Sequence, residues 1–174
     1  MLEIEFKDEI YPFNGIDNIR YISRGFILDE ENRLSILSVS RDDIFGKLSY
    51  IESSGGGIDE GENEDQAIIR EIEEETGYKV SIIKKIGVVT DYYNLINRKN
   101  IQYYYLLKKG EYVGKHFVSL GDQDIKGVRF LPIDELINEY SKYLDNKNIS
   151  FLVARKEILI LKEIEKELKA KVAQ

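Results

Sequence analysis

The chain has 174 residues with a formal net charge of −7, 43% hydrophobic and 33% charged content, and no cysteine. These figures fit one soluble domain, 1–174, with a full core; they exclude disulfides and agree with a reducing, cytoplasmic setting. No apolar run approaches the roughly 18 residues that a membrane span needs, the charged N-terminus is unlike a signal peptide, and no basic patch offers a stable hold on nucleic acid.

In chain order, residues 1–18 form a leading segment without a clear pattern. Arg20–Leu28 and Leu34–Ser40 are rich in Ile, Val, Leu and Tyr and predict strands, with a turn at Asp29–Asn32 between them. Residues 41–47 are polar and predict a loop, and Leu48–Glu52 a short strand entering Gly55-Gly56-Gly57. Residues 63–76 carry a helix signature. Asn63 is placed as N-cap with Gln66 completing a capping box, Glu64 and Asp65 occupy the first turn, and Gly77 is placed to end the helix. Lys79–Asp91 predicts one or two strands, Asn97–Asn100 a turn, and Ile101–Lys108, with Tyr103-Tyr104-Tyr105, a strand. Residues 110–126 read as irregular and Gly127–Leu131 as a strand. Pro132 opens a helix with Ile133, Leu136, Ile137, Tyr140 and Leu144 on one face. Residues 150–171 predict a long helix capped by Ser150, with Phe151, Ala154, Ile158, Leu161 and Leu168 on its apolar side. That stripe is expected to cover the core; the alternative is a subunit contact forming a homodimer. The order of strands and helices predicts an α/β fold in which helices cover a mixed sheet.

Chemistry concentrates in the acidic helix. Ala67, Ile68, Ile69 and Ile72 form its apolar side, while Glu71, Glu74 and Glu75 stack at i, i+3, i+4 on the other. Like charges at that spacing repel unless a cation neutralises them. Carboxylate oxygens in such density suit a hard divalent ion, Mg²⁺ first and Mn²⁺ second. With no Cys and His116 as the only histidine, a zinc site is disfavoured.

Gly56, Glu62, Arg70-Glu71-Ile72, Glu74-Glu75 and Gly77-Tyr78 stand in the spacing G-x5-E-x7-R-E-U-x-E-E-x-G-U, where U is apolar. This resembles the Nudix box, with every fixed position matched and Tyr78 filling the last place loosely. The resemblance implies an α/β/α sandwich and Mg²⁺-dependent hydrolysis of a nucleoside diphosphate linked to a group X. By the same resemblance Glu71, Glu74, Glu75 and the Gly55 carbonyl are expected to hold metal. Glu71 is expected as ligand or base, Arg70 to orient the glutamates, Glu62 to hold the loop, and Gly56, Gly57 and Arg41 to meet substrate. Asp124, with Asp122 as fallback, is the expected acid from a later loop. Ser54 stands where most members carry proline. Among substrates a small nucleotide is implied, nucleoside triphosphates leading and dinucleoside polyphosphates, nucleotide sugars or ADP-ribose following. Tyr92 and Tyr93 lie near the place of a base-stacking tyrosine, although core packing is the simpler reading. A nucleotide-binding sensor on the same fold is the alternative to an enzyme.

Overall fold

The computed structural model describes residues 1–115 and 125–174, except for the side chains of residues 125 and 126. Its strands are β1 (Leu2–Phe6), β2 (Asn18–Leu28), β3 (Leu34–Asp43), β4 (Gly46–Glu52), β5 (Ser54–Gly57), β6 (Tyr78–Tyr93), β7 (Arg98–Tyr112) and β8 (Ile125–Leu131). Its helices are α1 (Glu64–Thr76), α2 (Ile133–Ser141) and α3 (Ile149–Val172). The strands form one mixed sheet in the order β1-β6-β7-β2-β3-β4, with β5 added to β2 and β8 to β3. β1 runs parallel to β6 and β2 parallel to β7, while the other pairings are antiparallel.

Strand alternation sorts the two faces. On one, Ile27, Tyr105 and Leu107 pack against Ile68 and Ile72 of α1. On the other, Phe26, Tyr104 and Leu106 join Leu152, Val153 and Leu161 of α3 and Leu136 and Tyr140 of α2. The sheet therefore lies between helical layers, as expected, and α3 covers the core through its buried stripe.

Several expectations shift. Leu2-Glu-Ile-Glu-Phe alternates in burial and forms β1 along the sheet edge. Residues 41–47 are a hairpin instead of a loop, with Asp43 opposite Gly46 and Gly46 at φ +106°. The Asp43 carboxylate accepts the Phe45 N–H at 3.0 Å and closes the turn. β6 is a single long strand, bent by register shifts. The connection to β7 is a 3-10 turn at Asn94–Ile96 ending on Asn97 at φ +50°, so strand pairing already begins at Arg98. β7 continues through residues 110–112. Leu144 lies beyond α2 and is exposed. The cap of α3 is Asn148, whose Oδ1 accepts from the Ser150 N–H at 2.9 Å. No helix among the described residues is long and apolar enough to cross a membrane.

Candidate active site

The acidic helix is seated by local chemistry. Asn63 Oδ1 accepts the Gln66 N–H at 2.8 Å and Gln66 returns the bond to the Asn63 N–H at 2.9 Å, completing the capping box. At the other end Gly77, at φ +78°, donates to the Glu73 carbonyl. Ser23 Oγ donates to the Glu64 carbonyl at 2.8 Å and the Tyr105 hydroxyl to Asp65 at 2.6 Å, tying the first turn to the sheet. Tyr78, the loose last position of the box, packs edge-on against Tyr112 and Phe130 at ring separations of 5.3 and 6.0 Å.

Arg70 organises the polar face. It donates to Glu71 Oε1 at 2.8 Å, to Glu74 Oε2 at 3.2 Å and to the Gly57 carbonyl at 3.0 Å, and it forms a two-pronged pair with Glu62. Glu62 in turn accepts the Asp59 N–H at 2.8 Å, so the loop between β5 and α1 is tied to the helix. These bonds, Glu62 first and Glu71 next, hold the Arg70 pKa well above its usual value against desolvation. The repulsion expected along the glutamate face is thus partly relieved by a cation from the same helix.

The glycine run meets this face at close quarters. Gly55 N–H donates to Glu75 Oε2 at 3.0 Å. Gly55 sits at φ +156°, and a Cβ there would lie 2.1 Å from the Ser23 carbonyl oxygen. A Cβ on Gly56 would lie 2.4 Å from the Glu71 carboxyl carbon, so that carboxylate occupies the space a side chain would fill.

These groups line one cleft of about 520 Å³ together with Arg20, Arg24, Arg41 and Arg98 and an apolar wall that includes Val39, Phe45 and Ile149. Every expected site residue within the described part of the chain is there: Arg41, Gly55, Gly56, Gly57, Arg70, Glu71, Glu74 and Glu75. Arg41 is held by the Tyr50 hydroxyl at 2.9 Å and Asp43 at 2.8 Å, with its guanidinium 4.9 Å from the Phe45 ring centre. Asp124, Asp122 and His116 lie outside the described residues. Among the described residues, the acidic side chains are not drawn together into a ready ion cage; Arg70 engages Glu71 and Glu74, and Gly55 engages Glu75.

A second polar layer beneath the cleft is unannounced by the box. Glu157 of α3 is fully buried. It accepts the Ser53 N–H at 2.9 Å, the Ser53 hydroxyl, the Tyr104 hydroxyl at 3.1 Å and the Tyr140 hydroxyl. Burial pushes its pKa up, while Arg24 opposes the rise. Arg24 bonds to Glu52 at 2.7 Å, the Ser53 carbonyl at 3.0 Å and Gln102 at 2.9 Å. Beside it, fully buried Lys156 donates to Asp91 at 2.7 Å and to the Tyr93 hydroxyl at 2.9 Å. The available signal was a Lys-Glu pair set between Leu152-Val153 and Ile160-Leu161, where helical spacing turns both charges toward the core.

A mixed sheet between helices, with a glycine run feeding an arginine-braced acidic helix at the rim of a cleft, defines an α/β protein of the Nudix type. The NUDIX domain model matches residues 20–153, and the chain belongs to that family. A "Putative 8-oxo-dGTP diphosphatase" of Bacillus subtilis (strain 168) is 37% identical over 68 residues, 39% of this chain and 43% of that protein. The match thus spans less than half the length of that relative. Among solved structures, a NUDIX hydrolase from Nitrosomonas europaea is similar with a TM-score of 0.65 at 14% identity, over 85% of this chain and 89% of that one. The E. coli ORF135 protein gives a TM-score of 0.62 at 13% identity, over 90% and 96%. At these identities the structural likeness establishes the fold alone.

Proposed function

We propose that this chain hydrolyses the phosphoanhydride of a nucleoside diphosphate linked to a group X, with nucleoside triphosphates as the leading substrates. The observation that carries the reading is the meeting of Glu71, Glu74 and Glu75 with the Gly55–Gly57 backbone and Arg41 in one cleft. The partial relative named as an 8-oxo-dGTP diphosphatase supports a nucleotide anhydride.

Magnesium, with manganese as substitute, belongs to this reading. The donor set fits a hard cation: it is all oxygen, lines one cleft, and keeps the Glu71 carboxylate in a space that only glycine leaves open. The groups that would hold the ion are the carboxylates of Glu71, Glu74 and Glu75 and the Gly55 carbonyl, with Arg70 sharing Glu71 and Glu74. When bound, such an ion neutralises charge on phosphate oxygens.

The chain's own residues supply the rest. Arg41, braced by Tyr50 and Asp43, presents a guanidinium to a phosphate oxygen. Glu71 is the base among the described residues; Asp124, and then Asp122, are the candidates outside them. The base takes a proton from the attacking water, oxygen bonds to phosphorus, and the bridging oxygen leaves with the departing phosphate. The apolar wall receives the nucleoside and displaces water from the reacting bond. The same reading makes the protein a cytoplasmic enzyme of small nucleotides, without a nucleic-acid or membrane partner.

The test is Glu74→Gln against wild type on nucleoside triphosphates, ADP-ribose, nucleotide sugars and dinucleoside polyphosphates with Mg²⁺. Turnover on one class is expected, falling by roughly 10²–10⁴ in the variant with an unchanged melting temperature. Equal rates in the two proteins would sink the assignment. Silence across the panel, with a melting shift from one nucleotide, would point to a sensor instead.

A further inference from the structure

The cleft contains more positive charge than this chemistry uses. β2 pairs with β7 so that Asn18 opposes Arg98 and Arg20 opposes Asn100. Alternation then sends Arg20, Arg24, Arg98 and Asn100 to one face of the sheet. Arg24 is committed to Glu52, Ser53 and Gln102. Arg20 and Arg98 are not. Arg20, exposed at the cleft mouth, makes no hydrogen bond or ion pair among the described residues. Among the described residues, Arg98 donates only its Nε, to Asn100 Oδ1 at 2.7 Å, and it rests 5.3 Å from the Tyr93 ring centre. Asn100 is fully buried, and its Nδ2 finds no acceptor among the described residues. Asp91, the acid opposite Asn100 on β6, is already held by Lys156 and Gln102.

Donors therefore outnumber acceptors at this end of the cleft, in a chain whose overall charge is −7. Two guanidiniums sharing a concave wall repel each other unless an anion lies between them. Both are held below their usual pKa, by desolvation against the cleft wall first; Arg24 adds to this at Arg20 while Glu71 and Glu52 oppose it, and Arg20 adds to it at Arg98 while Tyr93 and Asp91 oppose it. The pair is also continuous with the reacting end. A Cβ on Gly57 would lie 3.4 Å from the Arg20 guanidinium nitrogens, and the Gly57 carbonyl is the one that Arg70 holds.

We propose that Arg20 and Arg98 form a second anion subsite that grips a phosphate beyond the scissile bridge, so that the cleft selects nucleotides whose X is itself phosphate-bearing over those whose X is neutral. This deepens the hydrolase reading above and rests on it. Guanidinium forks match phosphate oxygens in pairs. Asn100 and Tyr93 fix one fork in advance, which lowers the ordering cost of binding.

The decisive measurement is titration calorimetry of the full chain with inorganic tripolyphosphate in EDTA, where no divalent ion can hold the anion at the glutamates. Wild type is expected to bind, and Glu74→Gln, which removes a like charge from the same cleft, at least as tightly. The double variant Arg20→Gln/Arg98→Gln is expected to lose roughly 10²-fold in affinity, about tenfold per guanidinium. The lysine pair Arg20→Lys/Arg98→Lys recovers part of this, since it keeps charge without the fork. Binding by the double variant as tight as wild type, or no binding by wild type, overturns the subsite. Should the double variant fail to fold, Arg20→Gln alone at the exposed position carries the test, with tenfold loss expected and no loss overturning it. In turnover, the ratio of kcat/KM for a nucleoside triphosphate to that for a nucleotide with a neutral sugar as X falls at least tenfold in Arg20→Gln, and an unchanged ratio counts against the proposal. Failure of the hydrolase reading shows instead as equal turnover of wild type and Glu74→Gln, which leaves the tripolyphosphate result standing on its own.

Discussion

Replacing Gly56 with alanine is expected to disable the site while sparing the fold, and the same change at Gly55 to damage the fold itself. At Gly56 the three atoms nearest the new methyl all belong to the Glu71 carboxyl group, at 2.4–2.6 Å. Normal carbon contact is about 3.5 Å, so the carboxylate must retreat by about 1 Å. It sits at the end of a flexible side chain and can retreat by loosening its bond from Arg70, which keeps Glu62 and Glu74 as partners, while loss of a glycine returns about 0.4–1 kcal/mol through the unfolded chain. A displacement of that size at a reacting group costs roughly 10² in rate. At Gly55 the methyl meets backbone, 2.1 Å from the Ser23 carbonyl oxygen and 2.7 Å from Arg24 Cα. The pairing of β5 with β2 must then open, at about 1–3 kcal/mol. At roughly 2–4 °C per kcal/mol for a chain of this size, the melting temperature falls by about 2–12 °C. Calorimetry and steady-state kinetics on both variants, with the substrate found by the panel, measure the contrast. Wild-type kcat/KM in Gly56→Ala, or a melting loss there as large as in Gly55→Ala, would refute the reasoning.

Other expectations concern the layer beneath. Lys156→Met leaves Asp91 buried with Gln102 alone and is expected to cost about 3–5 kcal/mol in urea unfolding, most of it recovered by adding Asp91→Asn. Burial alone would lower the Lys156 pKa, but Asp91 first and Tyr93 next raise it above 10.5. Its stabilisation is therefore full below pH 10.5 and is lost as pH rises through the higher folded value. The gap between wild type and Lys156→Met should stay level from pH 8 to 10 and narrow above that; a gap that widens there contradicts the assigned pairing. Asn148→Ala removes the cap of α3 and should cost about 1 kcal/mol, read from the urea midpoint.

The acidic helix was legible because its determinants are local. Asn63, Gln66, the glutamate spacing and Gly77 lie within one short stretch, and each acts on backbone a few residues away. The strand between Ser40 and Asp43 was not, because it is half-exposed or exposed along its length and so lacks the apolar alternation that marks a half-buried strand. Ser150 was a reasonable cap by residue type; Asn148 caps from two residues earlier, accepting the N–H of Ser150, and leaves Ser150 buried in the first turn. Lys156 and Glu157 resemble any lysine and glutamate of a charged helix. Their partners Asp91 and Ser53 are 65 and 104 positions away, a separation that periodicity does not report. Arg20 and Arg98 became neighbours only through the parallel pairing of β2 with β7.

The grip of Glu157 on Ser53 has a consequence for how the molecule is made. A ribosome releases the glycine hinge and the acidic helix long before the carboxylate that clasps the strand leading into them, and that carboxylate lies past the end of the family match at residue 153. Until α3 docks, the Tyr104 and Tyr140 hydroxyls have no acceptor in Glu157 and the hinge is untethered on that side. Catalytic competence should therefore arrive late in synthesis, and a fragment cut at the matched boundary would keep the signature while losing the clasp that seats it.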